Sequence, residues 1–356
     1  MNPVHLFRTA ILAGILTCTS APAAEPFLKK GDVIALVGGE DMVAASEYGY
    51  LELLLQRALP DYRLQFRSLA WEGDTVFEQR RDLNFPPLEA QLEQIGATVV
   101  LCQFGQMESL AGKEKLPEFV AAYEKLIARM SGGGKRKIIL LTRTPTDRSG
   151  TVIEEKDNPT TFLDATPDTF GPSNSRGAFD FKRRPPLTVE MLFSRPIFDF
   201  ARTKANVVAV DVDYRVYRAT QTLRDPDMRA VITRDGIHLD ENGHKLTAIQ
   251  AADQLGIDLK AIIGFDSWSR LTRLTYDAQF EALAPLRDLI VAKNRLWFDY
   301  WRPQNWAFLA GDRTSQPSSR DHLDPTKRWF PAEREAFLPL IAAKEEEIWK
   351  LATTLK

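Results

Sequence analysis

Asp235 and His238 stand three residues apart in the run Asp235-Gly236-Ile237-His238-Leu239-Asp240. A carboxylate at that spacing on a loop can fix the tautomer of the imidazole and stabilise the imidazolium that forms when the ring works as a general base. On residue types alone the pair also suits a helix cap or a surface contact. A second acidic group follows a glycine pair, where Gly38-Gly39 leads into Glu40 and Asp41. Glu40 has three readings: a solvated loop acid, a carboxylate nucleophile that forms a covalent intermediate, or a base or ion ligand working with His238 and Asp235. A phosphate loop does not fit, because Gly-Lys-Ser/Thr is missing and two acids would repel phosphate. Glu40, Asp41 and His238 fall short of the ligand count of a zinc site, so neither a metal nor another cofactor is expected. His244 and His322 read as structural.

The elements that must hold these groups are short apolar runs alternating with helix-period segments. Val33 to Val37, Leu64 to Leu69, Ala97 to Gln103, Lys137 to Thr142 and Val207 to Val212 read as strands. Between and after them, helical stripes run over Tyr50 to Leu59, Leu88 to Ile95, Leu116 to Met130, Val189 to Lys204 and Gly243 to Leu255. Strands that are continuously apolar are covered on both faces, as parallel strands between helical layers are. The alternation predicts a three-layer α/β/α domain with a doubly wound parallel sheet, flavodoxin-like, over residues 26–262. Residues 146–186, rich in Pro, Asp, Ser and Gly, interrupt it as a long insertion after the fourth strand, where it is either a substrate-facing lid or disordered. Beyond Phe265 the strand signals stop. Residues 263–356 read as a helical extension with long helices over Tyr276 to Leu296 and Ala332 to Leu355. Trp297 and Trp301 are four apart and share a helix face, which suits docking on the main domain better than stacking on a sugar.

The chain has 356 residues, 44% hydrophobic and 26% charged, with a formal net charge of −2. That composition excludes disorder, and without a basic run there is no footprint for nucleic acid. Two cysteines, Cys18 and Cys102, exclude a disulfide framework. Arg8, the apolar stretch from Thr9 to Thr17 and Ala21-Pro22-Ala23 read as a signal peptide over residues 1–23. No later run reaches the ~20 apolar residues of a membrane span. The expectation is an exported protein, periplasmic or extracellular, with no membrane span.

Asp235-Gly236-Ile237-His238-Leu239-Asp240, followed by a helix after the last strand, resembles the final block of the SGNH (GDSL-type) hydrolases, α/β/α esterases whose Asp and His sit together there. Three further stretches fall after the first three strands, where that resemblance places the family's other blocks. Gly38-Gly39-Glu40 stands where the family carries Gly-Asp-Ser. Gly73, in Trp71-Glu72-Gly73-Asp74, matches the block that lends a backbone N–H to the oxyanion hole. Gly105-Gln106-Met107-Glu108 is similar to Gly-x-Asn-Asp/Glu, with Gly105 and Glu108 as substrate-binding positions. Ala292 to Trp306 (AKNRLWFDYWRPQNW) is similar to the tail of an exported bacterial subgroup. The resemblance implies hydrolysis of esters of small molecules or acylated carbohydrates, by His238 and Asp235. It also exposes two departures. Glu40 replaces the nucleophilic serine, and Met107 replaces the oxyanion-hole Asn with a side chain that has no N–H. Ser46 and Ser109, the nearest serines, do not fall at a strand end. The same departures fit a catalytically lapsed protein that binds a glycan or a protein partner.

Overall fold

In the computed structural model, residues 27–355 are described except 80, 82–83, 147–187, 224–230, 266–272 and 304–305. The expected signal peptide, and all but the first residue of the expected insertion, lie outside the described residues.

The continuous apolar runs become five strands. In chain order the elements are β1 (Val33–Gly38), α1 (Glu40–Tyr48), α2 (Tyr50–Ala58), β2 (Gln65–Ser68), α3 (Leu88–Gln94), β3 (Val99–Gln103), α4 (Gln106–Ser109), α5 (Leu116–Ser131), β4 (Lys137–Leu141), α6 (Arg195–Thr203) and β5 (Val207–Val210). They continue with α7 (Asp213–Leu223), α8 (Glu241–Gln254), α9 (Leu259–Ile263), α10 (Arg273–Ala282), α11 (Ala284–Trp301), α12 (Trp306–Leu309), α13 (Trp329–Glu335) and α14 (Phe337–Thr354). The strands form one parallel sheet in the order β2-β1-β3-β4-β5, the doubly wound arrangement expected from the sequence.

Successive residues of a strand point to opposite faces, and here each face has its own core. Ile34, Leu36, Val99 and Leu101 join Leu53 and Ile249, carried by α2 and α8, in one layer. Ala35, Val37, Val100 and Cys102 join Phe119 and Ile197, carried by α5 and α6, in the other. Burial of each Val, Leu, Ile or Phe among them contributes roughly 1.5–3 kcal/mol. Cys102 is a core residue, and burial pushes its thiol up to about 12, leaving it no nucleophilic role near neutral pH.

The C-terminal helices belong to the same cores. Leu286 and Ile290 of α11 pack in the first layer, while Trp297, Tyr300 and Trp301 of the same helix pack in the second. Helix α11 thus passes the β2 edge of the sheet, and Trp297 Nε1 donates to Ser68 O at 2.8 Å. The stacked Trp297 and Trp301 rings, 5.2 Å apart, are buried, so they dock the extension and offer no face to a sugar. Two expectations are corrected here. The single helix expected over Tyr276 to Leu296 is two, because Pro285 opens α11 and cannot donate back into α10. The one expected over Ala332 to Leu355 is likewise divided at Ala336, with Pro339 in the first turn of α14.

Candidate active site

Strand β1 delivers Glu40. A Cβ at Gly38 would lie 2.6 Å from Gln103 O and 2.5 Å from Met42 Cγ, so the strand end fits against β3 and α1 only as glycine. Gly39 then caps α1, a helix absent from the sequence reading, and Glu40 and Asp41 occupy its first turn, where the helix dipole favours negative charge.

The imidazole arrives on a tight turn. Thr233 and Leu239 form an antiparallel bridge, Arg234 N donates to His238 O at 2.9 Å, and Gly236 takes the left-handed conformation at φ 90°. Asp240 then caps α8 by accepting from Gly243 N at 2.8 Å. Within the turn, Asp235 Oδ1 accepts from Ile237 N at 2.9 Å and His238 N at 2.7 Å, while Oδ2 lies 2.6 Å from His238 Nδ1. The bond to the His238 ring, followed by the two backbone bonds, holds the Asp235 carboxyl well below the usual carboxylate range. His238 Nε2 faces Glu40 Oε2 at 3.2 Å. The other Glu40 oxygen, Oε1, accepts from the Arg234 guanidinium. Asp235, His238, Glu40 and Arg234 therefore make one continuous polar chain across the C-terminal end of the sheet.

Behind that chain lie buried Asp41 and Glu108 and half-buried Gln106. Asp41 accepts from Thr144 Oγ1 at 2.5 Å and from Leu239 N at 3.4 Å, joining α1, the segment after β4 and the histidine turn. Burial pushes its carboxyl up, and these two hydrogen bonds pull the other way. Gln106 Nε2 donates to Ile237 O at 2.9 Å, tying α4 to the same turn. Glu108 accepts from Val76 N at 2.7 Å and Gly105 N at 2.9 Å. Both Glu108 oxygens are taken, so its place is to join the loops after β2 and β3, and burial pushes its carboxyl up.

Gly73 sits in an exposed turn with φ 82°, and the turn is seated on β1, because Trp71 N donates to Gly38 O at 3.1 Å. Gly105, with φ 112°, starts α4. Met107 is 48% exposed on α4 and brings a thioether, not a donor, to the solvent side. Ser109 is buried and donates to Gln106 O, and Ser46 lies farther along α1. His244 is buried beneath Tyr48, with ring centroids 4.8 Å apart, as expected of a structural residue.

The structure thus brings Glu40, Asp235 and His238 together, flanked by the Gly73 turn and by α4. Sequence reasoning missed Arg234, Thr144 and Gln106. Arg234 was findable as a cation next to a proposed catalytic acid; Thr144 and Gln106 carried no signal. Among the described residues no group of three or more His, Cys, Asp or Glu side chains is placed to hold a metal ion, and no helix is long and apolar enough to cross a membrane.

The sequence matches no protein-family model, and no curated protein is similar enough to count as a match. Among solved structures, a gut microbial diltiazem-metabolizing enzyme (BT4096) is similar over 92% of this chain and 95% of its own, at 13% identity and a TM-score of 0.53. A protein named as a GDSL-like lipase from Parabacteroides merdae covers 64% of this chain and 97% of its own, at 14% identity and a TM-score of 0.41. One named as an SGNH hydrolase from Slackia heliotrinireducens covers 63% and 99%, at 16% identity and a TM-score of 0.36. The strand order and a likeness spanning nearly the whole chain give this protein a three-layer α/β/α fold, and the Asp-x-x-His turn faces the end of the first strand, as the resemblance to the SGNH (GDSL-type) hydrolases leads one to expect.

Proposed function

We propose that this protein is an exported ester hydrolase of the SGNH (GDSL-type) family in which Glu40 takes the place of the nucleophilic serine. The observation that carries this reading is the 3.2 Å separation between Glu40 Oε2 and His238 Nε2, with Asp235 on the opposite ring nitrogen. That is the mutual geometry asked of a nucleophile, its acid–base partner and the group that orients the partner.

The chemistry follows from the partners of the two ring nitrogens. Asp235 engages Nδ1, so when the ring is protonated its Nε2–H points at Glu40. Glu40 Oε2 attacks the ester carbonyl, and the alkoxide leaves with the Nε2 proton. A mixed anhydride and a neutral imidazole remain. His238 then takes a proton from water, the hydroxide opens the anhydride, and the acid departs with Glu40 and the imidazolium restored. The substrates proposed are small esters, acylated carbohydrates first, since export places the enzyme among polysaccharides. The full-length likeness to an enzyme that metabolizes a small organic molecule supports a pocket for such substrates.

The test is turnover of p-nitrophenyl acetate and of acetylated oligosaccharides by the protein without residues 1–23. His238→Ala and Glu40→Gln are each expected to lower kcat by at least about 10³-fold. A wild-type protein that binds glycans in calorimetry without hydrolysing any ester places it with the lapsed, ligand-binding proteins instead.

A further inference from the structure

We infer that Arg234 is the electrophile of the second half-reaction, holding the oxyanion that forms when water attacks the carboxyl carbon of Glu40 itself. This inference rests on the reading of Glu40 as the nucleophile.

The two oxygens of Glu40 are not equivalent. Oε2 faces His238 Nε2, the group that handles protons, so Oε2 is the atom that bonds to the acyl carbon. Oε1 remains with the Arg234 guanidinium and becomes the carbonyl oxygen on the enzyme side of the anhydride. An anhydride offers water two carbonyl carbons. On the substrate side, the position that carries an Asn in the resembled family is Met107, which has no side-chain N–H to offer. On the enzyme side, a permanently charged guanidinium already touches the oxygen that would become negative. Charge-assisted hydrogen bonds are roughly twice as strong as neutral ones, so Cδ of Glu40 is the more polarised carbon. Position is secured as well as charge. Arg234 and His238 leave the same turn, Arg234 N donates to His238 O at 2.9 Å, and Asp41 accepts from the next residue, Leu239. The base and the cation therefore reach Glu40 from one rigid piece of backbone.

The step balances. His238 Nε2 takes one proton of water, the hydroxyl oxygen bonds to Glu40 Cδ, and the carbonyl electron pair moves onto Oε1 beside Arg234. Collapse restores the carbonyl and breaks the Cδ–Oε2 bond. The acyl group leaves as a carboxylate carrying Oε2, and the new hydroxyl proton passes to solvent. Glu40 keeps one oxygen from water, and His238 is again the imidazolium that the next turnover needs.

The experiment is a single turnover of p-nitrophenyl acetate in H₂¹⁸O, followed by mass spectrometry of the released acetate and of the proteolytic peptide containing Glu40. The label is expected in Glu40, as a gain of one ¹⁸O. Arg234→Gln is expected to lower kcat by about 10²-fold and to lower KM with it, with a nitrophenol burst equal to the enzyme present. Guanidinium added to Arg234→Ala is expected to restore part of the rate, and Arg234→Lys to fall between. If His238 and Glu40 are required but all ¹⁸O appears in acetate, or if Arg234→Gln keeps kcat within twofold, the role of Arg234 is overturned while the ester-hydrolase reading stands. A wild-type protein silent towards every ester, or one indifferent to His238→Ala, overturns both.

Discussion

Asp235 Oδ2 lies 2.6 Å from His238 Nδ1, and the same carboxylate accepts the backbone N–H groups of Ile237 and His238, so the ring is aimed by the turn that carries it. Aim and tautomer come from one side chain. Asp235→Asn is therefore expected to lower kcat by roughly 10²–10⁴-fold with little change in KM, because the amide can turn an N–H towards Nδ1 and spoil the tautomer. The hydrogen bonds that hold the Asp235 carboxyl well below its ordinary range keep it ionised at pH 4. Activity lost by that pH then traces to another group, and the pH profile of wild type beside Asp235→Asn checks both points.

Met107 stands on an exposed face of α4 where the resembled family has an amide donor. Substitution there disturbs little packing. Met107→Asn is expected to raise kcat on an aryl acetate by about tenfold or more, since one oxyanion-hole donor is worth about 10²–10³ in other hydrolases. Steady-state kinetics, with a melting curve to confirm an unchanged fold, decide it.

His244 is buried, and desolvation, aided by the charge of Arg234, pulls its pKa down to about 3 from an ordinary value of 6.5. Between those two values the unfolded chain binds a proton that the folded chain refuses. Stability contributed by the neutral ring is thus complete above about pH 6.5 and is lost progressively as pH falls towards 3. Urea denaturation at pH 7, 5 and 4 is expected to show wild type losing more stability than His244→Phe, which has no such proton to gain.

Lys293 on α11 is fully buried and donates to Glu52 Oε2 on α2 at 2.9 Å. Burial pulls the lysine pKa down, and the Glu52 charge offsets part of that. Lys293→Met strands the carboxylate and is expected to cost about 3–5 kcal/mol, whereas Lys293→Met with Glu52→Leu is expected to recover much of it. A double-mutant cycle by urea unfolding at pH 7 measures the coupling.

Much of this was legible in the residues alone. Continuous apolar strands can only lie between two helical layers, so the parallel sheet followed from Val33 to Val37 and its four counterparts. Asp235 and His238 were legible because a local turn sets their geometry. The approach of Glu40 to His238 was not, since it depends on Gly38 and Gly39 letting two loops close on each other from opposite ends of the domain. Helix α1 escaped notice because two glycines and two acids read as a loop, although acids in a first turn are what its dipole favours. Arg234 escaped notice because its partner is 194 positions away. The break at Pro285 was visible as a residue, but the length of the apolar pattern outweighed it.

The way α11 reaches the β2 edge has a consequence for how the site is held. Asn294 Nδ2 donates to Ser46 O and Trp297 Nε1 to Ser68 O, each at 2.8 Å, and Trp349 on α14 donates to Leu64 O at 3.2 Å. The segments that carry Glu40 and Gly73 are thus braced by side chains more than 220 positions further along the chain. Any truncation or fusion that displaces α11 or α14 is expected to unsettle these two segments from a distance, and with them the hydrolysis proposed above.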